Sequence, residues 1–507
     1  MRHRAALLLL SFSLALTLGA CAPKTPPVTA PGPAAATARP PATPLSPEKL
    51  PLELERIFGA PAFDRMQWAV VVQSLDSGAI LYQRNPSKLM MPASNMKIVT
   101  LAAAAERLGW DYRYRTRLVT CGPVESGVLR GDLVVVGSGD PTINSRGGSP
   151  TRVFEAWADQ LRAAGIERIE GRVVADPRSF DAEGLGAGWA WDYLGYSYAA
   201  PVNALQYNED VAQLVVRPGT AEGAPAGVEV RPAESGLLVE NRVTTIAAGE
   251  TTLELQRLPG SNHLLVTGTI AVGAKEASRT AAVDDPALYF ARVLRATLVE
   301  KGIPVAGDAV DAKALNGQPP ATTVVLEHQS PPLSEIARVL MKVSQNLYAE
   351  TFIKTLGAEG GGTARAGQKV VREVLTAWGS PPESYILADG SGLSRYNFVC
   401  AEMLVGILRQ MYRDPRHRDA FQATLPVGGQ DGGTIARRFK GTRAEGNVKA
   451  KTGSIANVRA LSGYVTTLDG EPLVFSILAN NFTQPQETID AAIDLAVERL
   501  ANMTRRK

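Results

Sequence analysis

The fold of this 507-residue chain is decided around the stretch Pro92-Ala93-Ser94-Asn95-Met96-Lys97. Behind it, apolar residues recur at helical spacing as far as Leu108, and Gly109 is a natural helix end. The pattern predicts a helix that begins near Ser94 and carries Lys97 one turn later on the same face. A serine hydroxyl is a poor nucleophile without a base, and a lysine can act as that base when burial lowers its pKa. Ser94 and Lys97 are therefore the candidate nucleophile and base.

A second Ser-x-x-Lys sequence runs from Ser46 to Lys49, at the end of a stretch rich in Pro, Ala and Thr. Residues 21–47 contain almost no large apolar side chains, so they cannot bury a core and are predicted to form an extended tether. The position of this second motif therefore favours Ser94 as the nucleophile.

Two further short motifs follow Ser94 along the chain, Ser344-Gln345-Asn346 and Lys451-Thr452-Gly453, and each type occurs once. Alone, each is weak, because Ser-Gln-Asn is an ordinary turn or helix-start sequence and a lysine on a strand is usually solvated. Their order behind Ser-x-x-Lys is the one required in active-site serine acyltransferases. The triple is therefore a strong signal where a single motif is not.

Apolar runs near both ends of the chain predict antiparallel strands at Trp68–Val72, Ile80–Tyr82, Ala460–Thr466 and Leu473–Ala479. Helical patterns occur in the Ser94 segment, in the stretch 332–408 and from Gln486 to Ala501. Strands from the two ends are expected to form one sheet, which predicts a catalytic domain of mixed helix and strand (α/β, or α+β) from residues 48–112 and 325–507.

The 250 positions between Ser94 and Ser344 exceed what one helical subdomain needs. Strand patterns at 130–136 and 168–175 flank a helical pattern at 151–164, short β-type runs dominate 211–272, and a helical pattern spans 286–301. We interpret this region as an inserted α/β domain, residues 113–175 and 281–324, that carries a second, mostly β domain, residues 176–280.

With these motifs and this spacing, the chain resembles the D-alanyl-D-alanine carboxypeptidases/endopeptidases of the class C low-molecular-mass penicillin-binding proteins, peptidase family S13. The stretches that carry the resemblance are Gly131–Thr142, Asp389–Ser394, Leu425–Gly429 with Asp431-Gly432, and Leu461–Tyr464. The resemblance implies a β-lactamase/transpeptidase-like serine domain with two nested inserted domains. It also implies a serine DD-peptidase that forms an acyl-enzyme at Ser94, with peptidoglycan stem peptides as substrates and β-lactams as covalent inhibitors.

The resemblance also suggests roles for further residues. Ser344 would relay a proton, and the Asn346 amide would bond the substrate backbone. Lys451 and Thr452 would hold the terminal carboxylate, an assignment that an ammonium and a hydroxyl on a strand edge support. Gly453 would let the substrate approach closely. The backbone amides of Ser94 and Ser454 would form the oxyanion hole. Asp192 would pair with a free amine of the stem peptide.

The N-terminus has the features of an export signal. Arg2 and Arg4 precede an apolar run from Ala5 to Leu18, which is too short to be a good membrane-spanning helix. The sequence Leu18-Gly19-Ala20-Cys21 is similar to a bacterial lipobox, so we predict a signal peptide over residues 1–20, a lipidated Cys21 as membrane anchor, and a location in the periplasm or cell envelope. Ordinary signal cleavage nearby, with Cys21 incidental, is the alternative.

Composition excludes several classes of function. The 53 basic and 50 acidic residues give a formal net charge of +3, which does not favour a nucleic-acid partner. None of the four histidines, His3, His263, His328 and His417, lies at metal-ligand spacing, so we expect neither a metal or other cofactor nor a Ser-His-Asp triad. Cys121 and Cys400 are expected to be separate buried thiols.

Two alternatives to a DD-peptidase stay open at this point. A β-lactamase or esterase could use the same fold, and a turnover measurement on the penicilloyl-enzyme would separate it. An inactive peptidoglycan-binding scaffold is the other, although the intact Ser94, Lys97 and Lys451 argue against it.

Overall fold

Strands from the two ends of the chain meet in one sheet, as their alternation predicts. The structure is a computed structural model that describes residues 44–312, 323–430 and 432–506; the predicted signal peptide, Cys21 and most of the predicted tether lie outside them. The helices are α1 Leu50–Phe58, α2 Met96–Leu108, α3 Arg152–Ala163, α4 Pro286–Glu300, α5 Leu333–Lys342, α6 Asn346–Leu356, α7 Ala364–Ala377, α8 Ala401–Arg413, α9 Arg418–Thr424 and α10 Gln486–Ala501.

The strands are β1 Gln67–Ser74, β2 Ile80–Arg84, β3 Arg115–Cys121, β4 Val124–Glu125, β5 Val128–Leu129, β6 Asp132–Val136, β7 Arg168–Ile169, β8 Val173–Asp176, β9 Val211–Arg217, β10 Gly227–Arg231, β11 Leu238–Ile246, β12 Thr252–Arg257, β13 His263–Ala271, β14 Ala277–Ala282, β15 Ala309–Asp311, β16 Thr323–Gln329, β17 Tyr385–Ile386, β18 Phe398–Val399, β19 Lys449–Ile455, β20 Val458–Thr466 and β21 Pro472–Asn480.

The main sheet has the order β19-β20-β21-β1-β2, and every neighbouring pair is antiparallel. Successive residues of β1 enter different cores, because side chains alternate across a strand. Ala69 and Val71 pack with the cluster that contains α2, α5, α6 and α8, whereas Val70 and Val72 pack with the cluster that contains α1 and α10. Helices therefore cover both faces of the sheet, which explains why β1 is a continuous apolar run.

Helix α2 lies in the middle of the first of these clusters. Every residue from Met96 to Ala105 is buried, and the run of small alanines lets α6, α7 and α8 approach from several sides. The helix ends at Leu108 before Gly109, as predicted, and a short 3₁₀ turn at Ala93–Asn95 precedes it. The serine motif is thus held by one of the most buried helices of the molecule.

The region between the first two motifs folds into separate sheets. A mixed sheet has the order β15-β8-β6-β3-β16, and two three-stranded sheets have the orders β10-β9-β14 and β11-β13-β12. One hydrophobic cluster, from Leu118 to Leu326, connects them with α3 and α4. The domain boundaries near residues 112, 175, 280 and 324 remain a prediction.

Residues 168–175 were predicted to form one strand, but they form two short strands. The first, β7, pairs with β5, and after a break the second, β8, pairs with β6. At the break, a Cβ on Gly171 would lie 2.3 Å from the carbonyl oxygen of Gly131. The two chain segments cross too closely here for a side chain, so the strand is interrupted at a glycine.

The chain joins the folded body earlier than the predicted end of the tether. Leu45 is buried and forms a parallel bridge with Met503. Its N–H donates to the carbonyl of Asn502 at 3.0 Å, and its carbonyl accepts from the N–H of Thr504 at 2.8 Å. Residues 45–47 are therefore not part of a free tether, because Leu45 is an apolar side chain that reaches the core beside α10.

Two smaller expectations can also be compared with the described residues. Cys121 and Cys400 are separate, buried, free thiols, as predicted. Across residues 44–312, 323–430 and 432–506, no helix combines the length and the apolar character needed to cross a bilayer.

Candidate active site

The three motifs meet at a cleft with a volume of about 510 Å³. Ser94 comes from the turn before α2, Ser344 and Asn346 from the start of α6, and Thr452 and Ser454 from β19, the edge strand of the main sheet. The sequence placed these residues up to 360 positions apart, and the fold brings them onto one surface. The cleft is also lined by residues that the motifs did not indicate: Tyr193, Tyr198, Gly392, Leu393, Thr434, Ile455, Ala456 and Gln486.

The serine and its lysine are in direct contact. Lys97 Nζ donates to Ser94 Oγ at 2.9 Å, since the two residues lie one helical turn apart. Ala93, directly before the serine, has φ of 44°, a left-handed conformation that non-glycine residues rarely adopt. Such backbone strain persists only where the surrounding structure enforces it, and it is concentrated at functional sites.

Lys97 is completely buried, and its Nζ atom has three hydrogen-bond acceptors. Besides Ser94 Oγ, Nζ donates to Asn346 Oδ1 at 2.6 Å and to the carbonyl of Ser391 at 2.8 Å. Burial lowers the pKa of Lys97 to about 7, and the nearby charges of Asp389 and Glu350 oppose this shift. A large fraction of neutral lysine is therefore available near neutral pH, which a general base requires.

The carbonyl that faces Lys97 belongs to the loop Asp389–Ser394, which two buried carboxylates hold in place. Glu350, on α6, accepts from the N–H of Gly390 and from that of Ser391 at 2.8 Å. Asp389 accepts from the N–H of Gly392 at 2.7 Å and of Ser394 at 2.6 Å. Burial and the neighbouring Asp389 raise the pKa of Glu350 to about 7.

Ser344 and Asn346 bind the two active-site lysines. Ser344 Oγ accepts from Lys451 Nζ at 2.8 Å, and Ser344 has φ of 62°. Asn346 accepts from Lys97 through Oδ1 and donates through Nδ2 to the carbonyl of Tyr198 at 2.7 Å. A carboxamide retains a second N–H and a second lone pair after these two bonds, so contact with a substrate backbone is still available to Asn346.

Lys451 is a fully buried residue of the edge strand β19. Its Nζ donates to Ser344 Oγ and to the carbonyl of Thr452 at 2.9 Å, which leaves a third N–H. Burial, and secondly the nearness of Lys97, lower the pKa of Lys451 well below its usual value. An anion that arrives in the cleft would favour the charged form again.

A threonine outside the three motifs lies beside the edge strand β19. Thr452 Oγ1 and Thr434 Oγ1 lie 2.8 Å apart, so a second threonine hydroxyl faces the cleft beside the motif. Ser454 also lines the cleft, and its Oγ accepts from Arg459 at 2.6 Å. Thr434 follows the stretch Asp431-Gly432, and no sequence pattern indicated its contact with Thr452, because the two residues are 18 positions apart.

The close packing around Gly453 gives a second reason for a glycine at this position, besides the expected approach of substrate. A Cβ at this position would lie 2.5 Å from the carbonyl oxygen of Pro92 and 3.3 Å from Ala93 Cβ. The missing side chain therefore lets β19 pack directly against the turn that presents Ser94.

Asp192 is not a lining residue of the main cleft. It is exposed on the 3₁₀ turn Trp191–Tyr193 and faces an adjoining groove of about 400 Å³. Tyr193 and Tyr198 line both the cleft and this groove, so the two spaces are neighbours.

The competing motif is elsewhere in the molecule. The carbonyl of Ser46 accepts from the N–H groups of Lys49 and Leu50, which form the turn before α1. Lys49 is exposed, unlike Lys97.

In the folded chain, one histidine lies close to two carboxylates. Ligand atoms of Glu106, Asp414 and His417 lie within 4.8 Å of one another. Arg416 bonds both carboxylates, and His417 Nδ1 accepts from the indole of Trp110 at 3.1 Å. The group therefore has an internal hydrogen-bond network, and we assign no metal to it. The sequence did not reveal it because Glu106 is about 310 positions from its partners.

A family model described as the D-Ala-D-Ala carboxypeptidase 3 (S13) family matches residues 50–501. The chain belongs to this family. It is 37% identical over 450 residues to the D-alanyl-D-alanine carboxypeptidase of Actinomadura sp. (strain R39), covering 85% of this chain and 81% of the relative.

Solved structures agree with this assignment. The crystal structure of penicillin binding protein 4 from Haemophilus influenzae has a TM-score of 0.76 and 25% identity, covering 89% of this chain and 97% of that one. The same protein complexed with a β-lactam has a TM-score of 0.72 and 25% identity, with 90% and 98% covered. The predicted family, fold class and serine-type carboxypeptidase activity are therefore confirmed.

Proposed function

We propose that this S13-family enzyme cleaves the terminal D-Ala-D-Ala bond of peptidoglycan stem peptides through an acyl-enzyme at Ser94. The observation that carries the assignment of Ser94 is the buried Lys97, 2.9 Å from its Oγ and with a pKa lowered to about 7. A solvated lysine of ordinary pKa could not accept the proton at neutral pH.

In acylation, Ser94 Oγ attacks the carbonyl carbon of the penultimate D-Ala while its proton passes to Lys97 Nζ. The backbone N–H groups of Ser94 and Ser454 stabilise the oxyanion of the tetrahedral intermediate. Collapse of the intermediate breaks the C–N bond, and the proton that Lys97 took from Ser94 passes to the leaving amine through the hydroxyl of Ser344, which Lys451 holds by a hydrogen bond. Lys97 is then neutral again. It takes a proton from the water that attacks the ester and returns this proton to Ser94 Oγ when the ester C–O bond breaks.

The edge strand supplies the contacts for the terminal carboxylate of the substrate. Lys451 has one N–H beyond its two protein bonds, and the hydroxyls of Thr452 and Thr434 lie together at the cleft. Ammonium and hydroxyl donors of this kind form short, charge-assisted bonds to carboxylates. A β-lactam carries both a reactive amide and a carboxylate, so it would acylate Ser94 and be held by the same donors.

Cleavage of cross-linked stems uses the same chemistry with a longer leaving group, and we propose it as a second activity of this site. The adjoining groove of about 400 Å³ supports it, because that groove offers room next to the cleft. Asp192 there would pair with the free amine of a diaminopimelate or lysine side chain. Rapid turnover of a penicilloyl-enzyme would favour the β-lactamase alternative instead.

The experiment that tests the proposal is labelling with a fluorescent penicillin. Ser94→Ala should abolish covalent labelling, because the hydroxyl that Lys97 contacts is removed. Ser46→Ala is the matched control, since it alters the other Ser-x-x-Lys without entering the cleft, and it should label like the wild type. Labelling that persists in Ser94→Ala would refute the assignment of the nucleophile.

We also propose that the enzyme is exported and anchored in the cell envelope through a lipid on Cys21. The support is the arginine-flanked apolar run and the Leu-Gly-Ala-Cys sequence, together with a substrate that lies outside the cytoplasm. Cys21→Ala should release the protein from the membrane fraction while penicillin labelling is retained. Equal membrane association of both proteins would indicate that Cys21 is incidental.

A further inference from the structure

The region inserted between the first two motifs contains a strained turn that points at the active site. Asn208, Glu209 and Asp210 have φ of 51°, 59° and 56°, so three consecutive residues other than glycine are left-handed. Asn and Asp tolerate this conformation through local bonds, which both make here: Asn208 Nδ2 donates to the carbonyl of Val211 at 3.4 Å, and Asp210 Oδ1 accepts from the N–H of Tyr207 at 3.1 Å. Glu209 has no such local bond in the described structure and is the residue that the turn displays.

The strained turn is anchored in the inserted region on both sides. The N–H of Asn208 donates to the carbonyl of Ile143 at 2.8 Å, and the carbonyl of Asp210 accepts from the N–H of Val283 at 3.0 Å. Asp210 is fully buried, and burial raises the pKa of its carboxyl group well above the usual value. The surroundings therefore enforce the position of Glu209, which is the condition under which such strain persists.

The carboxylate of Glu209 reaches the second motif. Gln345 Nε2 donates to Glu209 Oε2 at 2.7 Å, and the hydroxyl of Tyr348 donates to Oε1 at 3.1 Å. Arg146, also from the inserted region, donates to both carboxylate oxygens. The Glu209 side chain is only 15% exposed, so these bonds are largely shielded from water.

Gln345 stands between the two residues of the motif that touch the active-site lysines. Ser344 bonds Lys451 and Asn346 bonds Lys97, while Ser344 itself has φ of 62°. Gln345 also caps α6, since its Oε1 accepts from the N–H of Leu347 at 3.3 Å. A clamp on the Gln345 side chain therefore fixes the backbone that presents both Ser344 and Asn346.

We propose that Glu209 is a positioning residue for acylation, which acts through Gln345 to hold Ser344 and Asn346 in register with Lys451 and Lys97. The inference rests on the proposed function, because it assumes that Ser344 and Asn346 take part in acylation. Displacements of an ångström or less at reacting groups are enough to reduce rates strongly. In this view the inserted region is a structural component of the active site.

The test measures the second-order rate constant of acylation by benzylpenicillin in full-length variants. Glu209→Ala should acylate roughly tenfold or more slowly than the wild type. Glu229→Ala is the matched control: Glu229 bonds two arginines, Arg217 and Arg231, in the same inserted region but away from the cleft. This variant should lose its bonds to both arginines and still acylate at the wild-type rate.

A double-mutant cycle separates positioning from a general loss of structure. Gln345→Ala should reproduce the loss, and adding Glu209→Ala to it should slow acylation no further, because the clamp is already gone. Additive losses would show that Glu209 acts by another route and would overturn the proposal. If Glu209→Ala does not fold, the Gln345→Ala variant is tested alone. Acylation of that variant at the wild-type rate would also overturn the proposal. Unchanged acylation in both variants, with labelling lost in Ser94→Ala, would refute this inference and leave the proposed function intact.

Discussion

Burial is what would allow Lys97 to act as the proposed base. An exposed lysine beside two carboxylates would have a raised pKa, yet the charges of Asp389 and Glu350 do not outweigh the desolvation of Lys97, and the pKa falls to about 7. The same carboxylates are not direct partners of the ammonium; they bond the loop whose Ser391 carbonyl faces it. They therefore help to place the carbonyl that Lys97 contacts, while their charges only partly offset the lowering of its pKa.

This balance predicts the pH dependence of acylation. Because the base must be neutral, the acylation rate should rise with pH through about 7, by about tenfold between pH 6 and pH 8. Stopped-flow acylation by a chromogenic β-lactam would measure this limb. Glu350→Gln removes a charge that raises the pKa of Lys97, so the limb should move to lower pH; its disappearance would show instead that Glu350 is the titrating group.

At the scale of elements, the active site depends on close approach between backbones. The loop Asp389–Ser394, the turn before α2 and the edge strand β19 pack against each other through glycines. A Cβ on Gly453 would meet the carbonyl of Pro92, and a Cβ on Gly392 would lie 1.8 Å from the carbonyl of Ala93. Both contacts fall on the two residues before Ser94, so they set the position of this proposed nucleophile.

Gly392→Ala should therefore damage both stability and acylation. Its φ of +84° alone disfavours alanine by about 1 to 2 kcal/mol, and the clash should add about 1 to 3 kcal/mol. Gly470→Ala is the control, because Gly470 has φ of +88° and open space around its Cβ position. Urea unfolding should show a larger loss for Gly392→Ala, with penicillin acylation reduced at least about tenfold. Equal losses of stability and unchanged acylation would show that the contact with Ala93 is unimportant.

At the scale of the whole molecule, the inserted region reaches the catalytic machinery at several points. Trp189 Nε1 donates to Asp389 Oδ2 at 2.9 Å, and the carbonyl of Tyr198 accepts from Asn346 Nδ2 at 2.7 Å. Lys354, buried on α6, forms an ion pair with Asp181. These contacts keep the turn that carries Asp192 beside the cleft.

The position of Asp192 predicts a substrate-dependent effect. Asp192→Asn would remove a charge-assisted bond worth about 1.5 to 3 kcal/mol from substrates with a free side-chain amine. The value of kcat/KM should fall roughly tenfold or more for a diaminopimelate-containing stem, while an acetylated D-Ala-D-Ala dipeptide and benzylpenicillin change little. Equal losses on all three would mean that Asp192 supports the fold of the insertion and does not contact substrate.

The class of chemistry and much of the framework around the site could be predicted from the sequence. Helix α2, helix α10, the strands β1, β2, β20 and β21 and the order of the three motifs all follow from local periodicity and short spacings, which are properties of neighbouring residues. The family followed from the same motifs, because they combine several residue types in a fixed order.

The contacts between distant groups in and behind the cleft became visible in the tertiary structure alone. Thr434 beside Thr452, Glu350 behind Ser391 and Glu209 on Gln345 are contacts between segments far apart in the chain, and no periodicity encodes them. The same is true of the pKa of Lys97, which depends on how completely the fold removes its ammonium from water. Short sequence motifs therefore identify the candidate reacting groups. The lowered pKa of Lys97 and the alignment of these groups arise from burial and long-range packing.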